Sequence, residues 1–151
     1  MRRHAVILVG AVLAIAGCGE SKWASSLPQQ DPALRKTKVQ FAADAATRTY
    51  PADAPHKMTN DLRAQVEYGV KWLDIANLTD QEWDDVDVWL NQRYVIHVPK
   101  IPAKHLERLW FRGMYDQQGH SFPTDKLPTL VQKLEVFKDG VLYDLPVHLA
   151  D

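Results

Sequence analysis

Residues 83–99 read Trp-Asp-Asp-Val-Asp-Val-Trp-Leu-Asn-Gln-Arg-Tyr-Val-Ile-His-Val-Pro. Val86, Val88 and Leu90 alternate with Asp85, Asp87 and Trp89, and Tyr94, Ile96 and Val98 alternate with Val95 and His97. A period of two belongs to an extended strand with one face against a core. Asn91-Gln92-Arg93 separates the two runs, so the stretch predicts a β-hairpin. A two-residue loop would set Val88 opposite Val95 and mix the acidic and apolar parities. A three-residue loop pairs Leu90 with Tyr94, Val88 with Ile96 and Val86 with Val98. Only the second gives one continuous apolar face. Pro99 and Pro102 are expected to end the unit.

A second hairpin follows at the C-terminal end. Leu130 to Phe137 leads into Asp139-Gly140, a favoured two-residue turn, and Val141 to Leu149 returns, with Pro146 marking an edge strand. Towards the N-terminus, Val66, Tyr68, Val70 and Trp72 share one parity, then Leu73, Ile75 and Asn77 take the other. That switch reads as a bulge or as a long strand moving between surroundings. His105 to Met114 fits a strand or a short helix, and Asn77 to Glu82 reads as a turn. Residues 55–151 thus predict a small antiparallel β-sandwich of about five to seven strands, a mainly all-β fold. A domain this small needs most of its five Trp in the core.

Upstream, Pro51-Ala-Asp-Ala-Pro55 breaks the chain and marks a domain boundary. Asp31-Pro32 is a helix start, with Asp as N-cap and Pro at the first helical position. Leu34, Phe41, Ala42, Ala45 and Ala46 give that possible short helix a thin apolar face, and it must stop before Pro51. Residues 20–30 are small and polar and read as a tether. Met1-Arg2-Arg3-His4 and the apolar run to Ala16 match a signal peptide, positive and then hydrophobic. About twelve residues at ~1.5 Å each fall short of a ~30 Å hydrocarbon core.

Ile15-Ala16-Gly17-Cys18 resembles the lipobox of bacterial lipoproteins, an apolar residue and two small ones before a Cys. The resemblance implies removal of residues 1–17 and a diacylglyceryl thioether on Cys18, the only Cys in the chain. Residues 18–54 would then be the lipidated N-terminus, tether and helix. Among such lipoproteins of enteric bacteria an Asp after the Cys retains the protein in the inner membrane. Gly19 stands there instead, which implies the outer membrane, on its periplasmic or surface side. The stretch 77–99 is similar to a pattern in small uncharacterised secreted or lipid-anchored bacterial β-domain proteins, and that likeness implies no activity.

Of the 151 residues 18 are basic and 19 acidic, a net charge of −1 that excludes a strongly basic nucleic-acid binder. Cleavage after Gly17 would leave 16 basic against 19 acidic, so the acyl chains and not charge would hold the protein to lipid. One Cys excludes a disulfide framework and a four-Cys zinc site. No phosphate-cradling glycine loop, nucleophile elbow, metalloprotease helix or other cofactor motif is present, which points away from an enzyme. His56, His97, His105, His120 and His148 contain no pair three or four apart, so no helical metal-ligand pair is expected. Asp80, Glu82, Asp84, Asp85 and Asp87 lack the glycine-bent loop of a calcium site and read as a solvated strand face.

Asp85, Asp87, Trp89 and His97 fall on the face opposite the apolar one. If that face is open, Trp89 can stack on a sugar while the acids accept its hydroxyl hydrogen bonds, or the patch can receive an envelope protein. The preferred alternative covers Trp89 with the helix or a loop as a second core layer. A small hydrolase using His97, His105 and a carboxylate is a further option. The expectation is a lipid-anchored envelope protein acting as a non-catalytic binding or structural module, its partner an envelope protein or polysaccharide.

Overall fold

A computed structural model describes residues 32–67, 71–125 and 131–150. Cys18 and the stretches read as signal peptide and tether lie outside the described residues. Nine strands form two sheets: β1 His56–Met58, β2 Leu62–Glu67, β3 Trp72–Asn77, β4 Trp83–Leu90, β5 Tyr94–Ile101, β6 Leu106–Trp110, β7 Leu134–Lys138, β8 Val141–Asp144 and β9 Val147–Ala150. The first sheet has the order β1-β8-β7-β4-β5 and the second β6-β3-β2-β9. Val86, Val88, Leu90, Ile96 and Val136 of the first share one core with Leu62, Ala64, Leu73, Ile75 and Leu109 of the second. The chain is an all-β sandwich.

The β4–β5 hairpin has the register expected from its faces. Leu90 lies opposite Tyr94, Val88 opposite Ile96 and Val86 opposite Val98, around a three-residue loop in which Asn91 and Gln92 take φ of 52° and 59°. The strand does not end at Pro99 but continues to Ile101. Proline is tolerated because β5 is an edge strand. Asp85, facing Pro99 in this register, takes a left-handed φ of 53°. Both strands reverse their alternation there: Trp83 and Val86 are buried on either side of two exposed acids, and Ile101 and Val98 on the other strand. The β7–β8 turn at Asp139-Gly140 also forms as expected, both residues at positive φ.

Several expectations are corrected. The parity switch near Trp72 is a hairpin, not a bulge: β2 and β3 pair antiparallel, Leu62 opposite Asn77. Among the described residues there are nine strands rather than five to seven, and two pairings, β1 with β8 and β2 with β9, are parallel. The final return strand divides at Leu145-Pro146. Proline carries no N–H, so it adds no donor to the β7–β8 ladder. Its carbonyl instead accepts from Ala64, and the chain joins the other sheet as β9. Among the described tryptophans only Trp83 and Trp89 are core; Trp72 and Trp110 are half-buried, packed edge to face at 5.0 Å.

Residues before the 51–55 break pack into the same core as the strands after it. Pro32 opens a single 3-10 turn, and the α-helix α1 runs from Lys38 to Ala46 with Thr37 as its cap. Thr37 and Gln40 form a reciprocal capping box, which satisfies amides that would otherwise be orphaned. Leu34, Phe41 and Ala45 enter the common core, and α1 packs against β5 and the turn Phe111–Gly113. Gly113 keeps this approach close, since a Cβ there would lie 3.2 Å from the Phe41 ring and 3.1 Å from Ile96.

Residues 47–55 then cross the outer face of the five-stranded sheet as an arm. Arg48 reaches Asp87 on β4, Tyr50 reaches Trp89 on β4 and Glu135 on β7, and the Pro55 carbonyl accepts from Leu142 on β8. The arm ends as β1, paired with β8 at the far edge. Both faces of this sheet are therefore covered along the arm's path.

If the helix is core rather than tether, Phe41→Ala should cost about 3 kcal/mol in urea unfolding. Val39→Ala, on the solvent side of the same helix at 78% exposure, should stay within about 0.5 kcal/mol. Equal, small effects would return the helix to the tether.

Candidate functional site

The acidic stretch at the start of β4 mostly reaches nearby lysines: Glu82 and Asp84 lie 3.0 and 4.0 Å from Lys100, and Asp80 lies 3.5 Å from Lys104. Asp87 is different. It sits at the floor of a cleft of about 480 Å³ that Arg48, Asp85, His97, Phe137 and Lys138 help to line. Arg48 follows the helix end directly. Its Nη1 donates to the Asp44 carbonyl and its Nε to Asp87 Oδ1, both at 2.8 Å. The helix end therefore aims the guanidinium.

His97 Nδ1 lies 2.9 Å from Asp87 Oδ1, and its Nε2 lies 3.5 Å from Asp85 Oδ1. Asp87 and His97 are direct cross-strand partners, so the hairpin register itself makes this pair. Burial pushes the Asp87 carboxyl upward, but His97 and Arg48 outweigh it and hold the group below its usual range. An ionised carboxylate only accepts, so Nδ1 carries the proton of that bond and Nε2 is turned to the cleft and Asp85. The Asp85 carboxylate is 92% exposed, projected there by its left-handed backbone.

Of the residues singled out in the sequence, Asp85, Asp87 and His97 come together. Trp89 does not join them as an exposed platform. It retains 2% of its surface, and Tyr50 packs on it edge to face at 5.4 Å. Sugar stacking on Trp89 is thereby ruled out, because the arm occupies its ring. The indole Nε1 has no hydrogen-bond partner among the described residues. His105 is elsewhere, 4.0 Å from Glu107 and outside the lining of the cleft.

A second cluster lies two residues further along β7. Glu135 is fully buried, and Tyr50 Oη reaches its two oxygens at 3.0 and 3.1 Å. Lys133 Nζ lies 2.8 Å from Glu135 Oε1 and 3.2 Å from Asp144 Oδ1. His56 Nδ1 stands 3.4 Å from Glu135 Oε1. Burial and the Glu135 carboxylate both raise the Tyr50 phenol, which keeps it protonated as a donor. Asn91 Oδ1 accepts the N–H groups of Gln132 and Lys133, so the β4–β5 loop positions the lysine.

The sequence reading missed Arg48, Tyr50, Lys133, Glu135 and Asp144. Glu135 alternates with Leu134 and Val136 and so resembles any solvent-facing strand residue. Its partner Tyr50 is 85 positions away, and no local signal joins them.

No protein-family model, curated protein or solved structure matches the chain. The Asp87–His97 pair orients an imidazole as a general base would require. The single hydroxyl among the residues lining the cleft is Thr47, whose Oγ1 donates to the Asp44 carbonyl at 2.8 Å. The cleft thus offers oriented acceptors and donors, its one hydroxyl already engaged.

Asp87→Asn should cost about 1–2 kcal/mol at pH 7 through the weakened bonds to Arg48 and His97. Because folding depresses the Asp87 pKa, this contribution is complete above the unfolded value near ~4 and disappears as pH falls through the folded one. The difference in urea midpoint between wild type and variant should therefore shrink from pH 6 to pH 2.5. A constant difference would contradict the ion-pair account. Tyr50→Phe should cost about 1–3 kcal/mol, since it strips a donor from a buried carboxylate.

Proposed function

We propose that the protein is a lipid-anchored envelope protein whose β-sandwich is a non-catalytic binding module. The anchor rests on the sequence Ile15-Ala16-Gly17-Cys18, with the only Cys of the chain at the acylated position. Gly19 favours the outer membrane, with the domain on the periplasmic or surface side. Acyl chains contribute about 0.8 kcal/mol per buried CH₂, and two or more chains make such an anchor durable.

The binding role is carried by one observation: an imidazole held between Asp87 and Asp85 in an open cleft whose only lining hydroxyl is already engaged. Arg48, Lys138 and Asp139 add charge to the walls, so the occupant is polar. Exposed Asp85 and His97 Nε2 suit a hydroxyl-rich or cationic group presented by an envelope polysaccharide or protein. A hydrolytic reading finds less support, because His97 and His105 do not share the cleft.

Cys18→Ser should abolish metabolic incorporation of an alkyne-tagged fatty acid and release the protein from the membrane fraction. Persistence of the label would end the lipoprotein reading. For the cleft, a photo-crosslinking amino acid at position 138 should capture an envelope component in living cells. That adduct should fall at least fivefold in a His97→Gln background. Recovery of self-adducts alone would replace binding with self-assembly.

A further inference from the structure

Glu135 has no exposed surface, and a buried carboxylate persists only beside a cation and donors. Three donor groups from three strands converge at this point. His56 comes from β1, Glu135 from β7 and Asp144 from β8, and their ligand atoms lie within 4.8 Å of one another. Glu135 and Asp144 are direct partners in the β7–β8 ladder. His56 Nδ1 stands 3.4 Å from Glu135 Oε1 and 3.9 Å from Asp144 Oδ2. Ligands at ~2.0–2.2 Å from one zinc ion in tetrahedral array stand about 3.3–3.5 Å apart. The two separations from His56 are at or near that range, and the Glu135–Asp144 pair, within 4.8 Å, would close on the ion.

Two further observations mark the place as a cation slot. Asp144 Oδ1 is sealed from solvent and faces Lys133 Nζ at 3.2 Å. Lys133 Nζ, within ion-pair distance of it and hydrogen-bonded to Glu135, occupies the space between the two carboxylates. Lys133 precedes β7, and its side chain is 38% exposed, so its head can swing to water without moving the sheet. Tyr50, on both oxygens of Glu135, is placed as the outer-shell donor that fixes a ligating carboxylate.

We propose that His56, Glu135 and Asp144 form a site for a divalent transition metal, Zn²⁺ in the first instance, with Lys133 as the internal cation that fills it in the ion's absence. One imidazole and two carboxylates suit zinc better than calcium, which takes six to eight oxygens. Exchange of an ammonium for a dication changes the local sum from one negative charge to neutrality, taking the imidazole as neutral. The site is separate from the cleft at Asp87 and does not rest on the cleft's proposed role.

The test is calorimetric titration of the full-length chain in detergent with ZnCl₂ alone, paired with thermal melts. Lys133→Gln removes the competitor, so it should bind zinc at least tenfold more tightly than wild type. It should also regain on zinc addition the thermal stability lost through the substitution. Equal or weaker binding by Lys133→Gln, or no binding by either protein, overturns the proposal. His56 is exposed, so His56→Gln should fold normally and supplies the second reading. Introduced beside Lys133→Gln, it should lower zinc affinity at least tenfold. Unchanged affinity would place the ion at another histidine and overturn the assignment.

Discussion

The carboxylate of Glu135 sits at the centre of the five-stranded sheet, on the face away from the main core, with no surface left to water. Removing a charge from water costs several kcal/mol unless a counter-ion and hydrogen bonds replace the solvent. Those replacements come from Tyr50, Lys133 and His56. Tyr50 lies within the arm that crosses the sheet and His56 directly follows it, and Lys133 is held by the loop of the β4–β5 hairpin. A polar group that must be satisfied thereby gives the arm a unique seat. Apolar burial alone would let it slide, because hydrophobic contact is non-directional.

Once seated, the arm supplies the second apolar layer. Tyr50 covers Trp89, and Leu142 is fully buried on the same face. In this sheet the outer face is half of a core, while in the second sheet Trp72 and Trp110 remain half-exposed with Arg108 and Arg112 over their rings. The asymmetry follows from the route of the chain. Among the described residues the arm at 47–55 crosses the five-stranded sheet, while on the second sheet guanidinium groups lie over the Trp72 and Trp110 rings.

What the sequence could show was set by the range of the interactions. The β4–β5 register was legible because six alternating apolar residues and a short loop admit one continuous face. Asp139-Gly140 was legible because its positive φ values favour those residue types. The β2–β3 hairpin was hidden because its apolar parity could continue through Trp72 as a bulged strand. Both parallel pairings were invisible, since β1 and β9 find their partners across most of the chain and no turn announces them. In the cleft, Asp87 and His97 could be paired from register alone. Arg48 could not, because it stands 39 positions from Asp87 with three strands between them.

Asp87 and Glu135 make an instructive contrast, being two carboxylates on neighbouring strands of the same face. Asp87 keeps about a fifth of its side chain exposed, and its imidazole partner turns its other ring nitrogen to the exposed Asp85 at the cleft. Glu135 is closed in by Tyr50 and neutralised by Lys133, whose ammonium its hydrogen bond holds charged above the usual range against burial, with Asp144 assisting. Between them stand Trp89 and Phe137, the direct cross-strand partners of Glu135 and Asp87 respectively. The apolar pair screens the two charges from each other and from water along the strand. One carboxylate is thus left available to an outside group, while the other is committed to holding the arm in place. The same arm sets both outcomes, through Arg48 at its start and Tyr50 two residues later.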